Sequence, residues 1–265
     1  MGRYIRIFLL NAQQALEYRS VSLVYLLITA VNAGMYLLFW HGALITAPAN
    51  ASGWNLSAAV SYYLLMVILG AFLHVHVQGE VAFEDIQKGN MVRYLTRPLS
   101  YFKFKFFEEL PWRVIQGVFG AGIMALVLLV YKDIPLVSGA GRILLSACIV
   151  LAGYVLCFIY KMMVGLIGFW FTDAFGFLNV EAITFLLLSG FVIPLHLLPV
   201  GVQGILLDQP LAYMIYYPIM AVSGLLDTSA LVTVLSYQFM WLVLFLVAYK
   251  FLWSAGIKRF TGVGQ

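Results

Sequence analysis

The chain has 265 residues, of which 63% are hydrophobic and 10% are charged, and its mean hydropathy is +0.97. A soluble globular domain is about half apolar and about one quarter charged. The composition therefore excludes a soluble protein and predicts one that is covered by lipid. The net charge of +4 is modest, and we expect no nucleic-acid partner.

Six apolar stretches are long enough to be membrane-spanning helices, because one span needs about 20 mostly apolar residues. None alternates polar and apolar residues as the strands of a membrane barrel do. We therefore predict an all-α integral membrane bundle of six transmembrane helices, which forms one domain over residues 1–265. The predicted spans are residues 21–44, 57–78, 112–131, 142–171, 177–198 and 230–253.

The basic residues predict the orientation of these spans, since cytoplasmic loops carry an excess of Lys and Arg. With the N-terminus inside, twelve of the 15 basic residues fall on the cytoplasmic side, and only Lys132 and Arg142 fall in outer loops. We expect a multi-pass protein with both termini in the cytoplasm.

Residues 2–20 precede the first span and have the pattern of an amphipathic helix. Apolar side chains recur at helical spacing, whereas Arg3 and Arg6 lie largely on the other side. Such a helix lies in the headgroup layer with its arginines towards anionic lipid. A simple topogenic anchor is the alternative.

Residues 79–111 form the only sizeable polar island in the sequence. Residues 80–88 can form two helical turns, which Gly89 would end with a left-handed cap. Arg97-Pro98 favours an extended step, and Ser100 can begin a new helix. That helix interleaves phenylalanines with lysines, as the membrane interface accommodates. We predict a short cytosolic helix, followed by an interfacial approach to the third span.

Glycines and prolines break the segment 190–229 into pieces too short to span a membrane. We predict that residues 199–229 dip into the outer leaflet and return. Non-helical backbone at that depth must pack on protein or line a wet cavity. An ordinary surface loop with interfacial tyrosines is the alternative.

Few residues are candidates for chemistry. No phosphate-binding loop of the form G-x-x-x-x-G-K-[ST] occurs in the sequence, so we expect no nucleotide hydrolysis by this chain. Two residues apart on a helix, His74 and His76 should face away from each other, and no carboxylate or cysteine cluster completes a metal site. We expect no metal and no other cofactor.

Lys161 lies inside the fourth predicted span, where a cation is unfavourable unless it faces protein or water. Asp173 and Glu181 are the nearest acids in sequence. A structural ion pair, a snorkelling lysine and a role in substrate contact or gating are the alternatives. The candidates for the pathway or its gate are Lys161, Asp173, Glu181, Asp208 and Tyr213.

The order of these elements, together with one sequence run, resembles a known family. The run comprises Glu84-Asp85-Ile86, Gly89, Leu95 and Thr96-Arg97-Pro98-Leu99-Ser100. It is similar to the loop of the membrane permease subunit of bacterial type-2 ABC exporters, in a small six-span branch with an RPLS motif.

The resemblance implies a bacterial inner-membrane permease that is not itself an ATPase. Residues 80–90 would be a coupling helix that docks into a separate ABC ATPase subunit, present in two copies. A second permease chain, identical or related, would complete the pathway, and residues 201–228 would form its extracellular gate. Membrane lipids would surround the complex. The residues assigned to ATPase coupling are Glu80, Glu84, Asp85, Lys88, Gly89, Arg97 and Pro98.

The apolar character of the spans favours an amphipathic or lipid-like substrate, such as a drug, lipid or glycolipid. The sequence leaves the substrate itself open, and also the choice between a homodimer and a heterodimer. Two alternative functions are a non-transporting membrane scaffold or assembly factor, and a membrane-embedded transferase.

Overall fold

A computed structural model describes residues 2–46, 56–130 and 135–260, and the regular structure of these residues is entirely helical. This confirms the predicted all-α class. Lys132, one of the two basic residues predicted in outer loops, lies outside the described residues. The helices are α1 Gly2–Glu17, α2 Arg19–Thr46, α3 Leu56–Leu73, α4 Val77–Gly79, α5 Val92–Leu95, α6 Tyr101–Val130, α7 Ala140–Gly165, α8 Phe175–Leu188, α9 Val200–Asp208, α10 Tyr216–Val222 and α11 Thr228–Gly256.

Three segments among the described residues are long and apolar enough to cross a membrane. They are Ala58–Gln87, Ala140–Phe169 and Thr228–Gly256, and they overlap the second, fourth and sixth predicted spans. The helices α2 and α6, with 28 and 30 residues, lie at the first and third predicted spans. The protein is thus a multi-pass helical membrane protein, and the count of six spans stays a prediction.

The fifth predicted span, residues 177–198, is not one continuous helix. The helix α8 ends at Leu188 after 14 residues, which is about 21 Å at 1.5 Å per residue. A bilayer core is about 30 Å thick. Gly190 has a φ of +89°, a left-handed conformation that ends helices, and Pro194 follows. The segment is apolar, as predicted, but α8 ends earlier than the hydropathy of residues 177–198 predicts.

The third span and its predicted interfacial approach form a single helix. α6 begins at Tyr101, directly after Ser100 as predicted, and it continues through Pro111. Gly89 has a φ of +76°, which confirms the left-handed position predicted at the end of residues 80–88. Glu80–Gln87 itself is π-helical, with wider turns than the predicted α-helix. The amide of Lys88 accordingly donates to the carbonyl of Phe83, five residues earlier, at 3.0 Å.

The helix α7 lies in the middle of the described bundle. α11 packs along it, and α10 and α4 also contact it, while α3 packs between α2 and α6. The hydroxyls of Tyr62 and Tyr63 donate to the carbonyls of Gly190 and Val192, at 2.8 and 2.6 Å. These bonds hold α3 against the turn that follows α8.

The N-terminal segment is a helix, as predicted, and it packs on α6. The ring of Tyr4 stacks on Phe107 with centroids 5.7 Å apart. The hydroxyl of Tyr4 also accepts a hydrogen bond from the amide of Ser100 at 3.0 Å. α1 is therefore fastened to the first turns of α6. Its place in the headgroup layer stays a prediction.

Candidate functional site

The polar loop, residues 77–100, lies between α3 and α6 and begins after the non-helical residues 74–76. It contains α4, the π-helical segment Glu80–Gln87, α5 and the turn before Tyr101. Glu84 and Lys88 lie on its accessible side and form an ion pair at 2.7 Å, with 46% and 64% of their side chains exposed. Glu80 is also exposed. The polar loop therefore has charged side chains on its exposed surface.

The opposite side of the π-helical segment packs closely against the C-terminal end of α7. Val81 and Ala82 are fully buried there. A Cβ atom placed on Gly165 would lie 2.6 Å from Cβ of Val81, and one on Gly168 would lie 3.0 Å from the carbonyl oxygen of Ala82. A side chain at Gly165 would clash with Val81 and one at Gly168 would be tightly placed, so the segment packs directly on the backbone of the last residue of α7 and of the turn that follows it.

A buried charge cluster fastens the same segment to α6. Lys105 Nζ lies 3.0 Å from a carboxylate oxygen of Asp85, and neither side chain is exposed. Lys105 also pairs with Glu80 and, at 2.9 Å, with Glu108. The hydroxyl of Tyr101 donates to Asp85 at 2.8 Å. Asp85 and Lys105, which are twenty positions apart in sequence, thus form an ion pair inside the protein.

Electrostatics favour the charged form of Lys105 in this cluster. Burial lowers its pKa, but the carboxylates of Glu108, Glu80 and Asp85 raise it by more, so the pKa lies above its ordinary value. Arg93 adds a second cation to Asp85 at 3.3 Å. Breaking a buried ion pair by removing one partner typically destabilises a protein by about 3–5 kcal/mol. The cluster is therefore a strong attachment for the polar loop.

The four charged residues of the predicted coupling helix separate into two groups in the structure. Glu80, Glu84 and Lys88 are accessible, as a contact surface requires. Asp85 is not on that surface, because its carboxylate turns inward to Lys105 and Tyr101. Sequence spacing alone did not distinguish Asp85 from Glu84, its neighbour.

The remaining predicted coupling residues lie in the two turns of the polar loop. Gly89 ends the π-helical segment with its positive φ. Arg97 and Pro98 are exposed in the turn before α6, where the amide of Leu99 donates to the carbonyl of Arg97 at 2.7 Å.

Lys161 and Glu181 form a second buried ion pair, which links α7 to α8. The ammonium lies 3.0 and 3.2 Å from the two carboxylate oxygens, and the side chains are 1% and 5% exposed. The ammonium also lies 4.3 Å from the ring centroid of Phe185, a cation–π contact. Of the two acids near Lys161 in sequence, Glu181 is its partner.

The other gating candidates are apart from this pair. Asp173 is exposed and accepts a hydrogen bond from the amide of Phe175 at 2.8 Å, at the start of α8. Asp208 is exposed at the end of α9. Tyr213 is buried and packs against Tyr217, with ring centroids 4.6 Å apart. The structure does not bring these five candidates into one site.

His74 and His76 differ from the sequence-based expectation. We expected their rings to face apart, as on a helix, but α3 ends at Leu73 and residues 74–76 are not helical. Their ring centroids lie 4.2 Å apart as a result. Within the described residues, no group of three or more His, Cys, Asp or Glu side chains could hold a metal ion.

These histidines border a cavity of about 440 Å³ that also contacts α2, α3 and α6. Apolar and polar groups share its walls. The buried guanidinium of Arg113 donates to Glu109 at 2.7 Å and to Gln116 at 2.8 Å, which places a polar group against an apolar lining. The apolar lining includes Val21, Ile28, Met66, Leu186 and Phe191.

Lys105, Tyr101 and Glu108 are the site residues that sequence reasoning missed. Tyr101 and Glu108 are four and three residues from Lys105, and on a helix these positions share one face. That spacing was a usable signal for a polar face on α6. The sequence did not indicate that Asp85 pairs with this face of α6, because two turns of the polar loop separate Asp85 from the helix.

The architecture and the polar loop define a helical membrane protein with a charged loop that is attached to two of its long helices. The sequence profile described as "ABC-2 family transporter protein" matches residues 30–264. The chain belongs to this family and is a permease subunit of an ABC transporter. A search of curated proteins found no match.

Proposed function

We propose that the chain is the transmembrane subunit of an ATP-driven exporter, which forms half of a translocation pathway and couples to a separate ABC ATPase subunit. One observation carries the proposal. The π-helical segment exposes charges on one side, and its other side is fixed to two long helices at once.

Because the π-helical segment is attached to both α6 and α7, a displacement of the segment would be transmitted to both helices. Lys105 ties it to α6 through buried ion pairs, and the close approach at Gly165 seats it on α7. A closely packed interior transmits displacement instead of absorbing it. A partner that moves Glu84 and Lys88 would therefore move the inner ends of both helices.

The accessible residues are assigned to the ATPase contact and the buried one to positioning. Glu80, Glu84 and Lys88 would meet polar groups of the ATPase. Asp85 would hold the segment in place from inside. Gly89 and the Arg97-Pro98 turn would shape the ends of the loop.

The cavity beside Arg113 supports an amphipathic or lipid-like substrate. Its apolar wall suits a hydrocarbon portion, whereas Arg113, Glu109 and Gln116 offer polar contacts. Ligand sites commonly combine an apolar lining with a few polar groups in this way. Drug, lipid and glycolipid molecules share this chemistry.

The rest of the assignment concerns the outer part and the assembly. The Lys161–Glu181 pair would hold α8 on α7, and residues 199–229 would form a re-entrant outer gate that contains Asp208 and Tyr213. Asp173 would shape the inner turn. Two permease chains and two ATPase subunits would assemble in the bacterial inner membrane, with both chain termini in the cytoplasm.

Co-purification from the native host tests the coupling. The tagged wild-type chain, extracted in mild detergent, should bring an ATP-binding subunit with it. The charge-reversed variant Glu84→Arg/Lys88→Glu should lose that subunit while it remains folded. Lys258→Glu, an exposed charge reversal beyond the end of α11, is the matched control and should retain it.

Two outcomes would contradict the proposal. Absence of any ATPase with the wild-type chain would favour a non-transporting scaffold. If the charge-reversed variant retains the ATP-binding subunit as well as the control does, the polar loop is not part of the interface with that subunit. Substrate-stimulated ATP hydrolysis by the purified complex then separates a transporter from an assembly factor.

A further inference from the structure

A second cavity of about 440 Å³ opens between the polar loop and the last turns of α11. Its volume is within the range of about 300–1,000 Å³ that is typical of small-ligand sites. It lies apart from the exposed face of Glu84 and Lys88 and from the cavity beside Arg113, since it shares no lining residue with either.

Three basic side chains line this cavity, namely Arg97, Lys103 and Lys250. All three are exposed, and none forms a salt bridge among the residues that the structure describes. The lining contains no Asp or Glu. The cavity therefore carries uncompensated positive charge.

No carboxylate of the buried cluster lines this cavity. Asp85 accepts a hydrogen bond from the hydroxyl of Tyr101, whose ring lines the cavity, but its carboxylate is held in ion pairs with Lys105 at 3.0 Å and Arg93 at 3.3 Å. An anion in the cavity would meet cations without competing against an unpaired carboxylate.

The remaining lining suits the boundary between lipid headgroups and acyl chains. The ring of Trp253 stacks on Tyr101 with centroids 5.1 Å apart, near the end of a membrane-length helix. Trp and Tyr are enriched at that depth. Leu95, Leu99 and Leu246 add an apolar rim.

We infer that this cavity binds the headgroup of an anionic phospholipid from the leaflet on the polar-loop side. Arg97, Lys103 and Lys250 contact the phosphate and headgroup oxygens, and the acyl chains lie along the leucines and α11. A zwitterionic headgroup fits less well, because its ammonium would approach three cations. The inference does not depend on an ATPase partner.

The test is lipid binding by the full chain, purified in neutral detergent and titrated with phosphatidylglycerol or phosphatidylcholine. Native mass spectrometry gives the apparent Kd for each lipid. We expect wild type to prefer phosphatidylglycerol. Arg97→Gln/Lys250→Gln should weaken phosphatidylglycerol binding by about fivefold for each charge removed, since one basic residue contributes about that factor near anionic lipid.

The variant Lys258→Gln/Arg259→Gln lowers the net charge equally but alters exposed residues that do not line the cavity. It should keep the wild-type Kd. If it weakens binding as much as Arg97→Gln/Lys250→Gln does, the attraction is general and the inference is overturned. Equal affinity of the wild-type chain for both lipids also overturns it, whether or not the variants fold.

Competition with a free anion is a further test of the lipid assignment. Inorganic phosphate at matched ionic strength should not displace phosphatidylglycerol from wild type, because it lacks the acyl chains that contact the leucines. Displacement by phosphate would assign the cavity to a soluble anion and contradict the lipid assignment.

Discussion

The ammonium of Lys105 lies 3.0 Å from the carboxylate of Asp85, and both side chains are completely withdrawn from solvent. The two residues lie on opposite sides of a loop that turns twice between them. Their pairing joins the π-helical segment to α6, and this gives the polar loop a fixed position relative to the membrane helices.

Lys105→Met should destabilise the protein by about 3–5 kcal/mol, because it removes the buried cation that lies 3.0 Å from the buried carboxylate of Asp85. Chemical unfolding in detergent, followed by circular dichroism, measures the change. Lys103→Met is the matched control, since Lys103 is exposed on the same helix, and it should change stability by less than about 0.5 kcal/mol. Equal effects of the two substitutions would contradict the role of the buried pair.

Lys161→Met should also destabilise the protein by about 3–5 kcal/mol, since Glu181 would be left unpaired between α7 and α8. Lys161→Met/Glu181→Met removes both charges and should recover most of that stability. If the pair is structural, the double variant also retains transport. A double variant that folds normally but no longer transports would show that the charges contact substrate or operate a gate.

Gly165→Ala should impair the seating of the polar loop on α7. Its new methyl group would meet Val81 at 2.6 Å, and overpacking of this kind destabilises by about 1–3 kcal/mol. Gly176→Ala is the control, because nothing lies within 4 Å of a Cβ there. Thermal unfolding of the two variants in parallel gives the comparison, and a more stable Gly165→Ala protein would count against close packing.

Several features of the fold follow from local sequence. Gly89 was assigned a left-handed position and has one. Ser100 was expected to precede a new helix, and α6 begins at the next residue. These features depend on the conformational preferences of a few neighbouring residues, which sequence reading can use directly.

Other features depend on contacts between distant residues. The inward turn of Asp85 depends on Lys105, and the early end of α8 allows the bonds that Tyr62 and Tyr63 make beyond it. Hydropathy cannot distinguish Asp85 from Glu84, or an apolar turn from an apolar helix. Tertiary packing decides both.

The central claim, that the exposed face of the polar loop meets an ATPase subunit, is tested most directly by photo-crosslinking in native membranes. A photoreactive residue would replace Glu84 in one variant and Leu225 in another. Leu225 is exposed beside the start of α11, a helix of 29 residues that is about 43 Å long and ends near the polar loop. We predict an ATP-binding subunit crosslinked through position 84 and not through position 225. No crosslink at position 84, or equal crosslinking at both positions, would contradict the account.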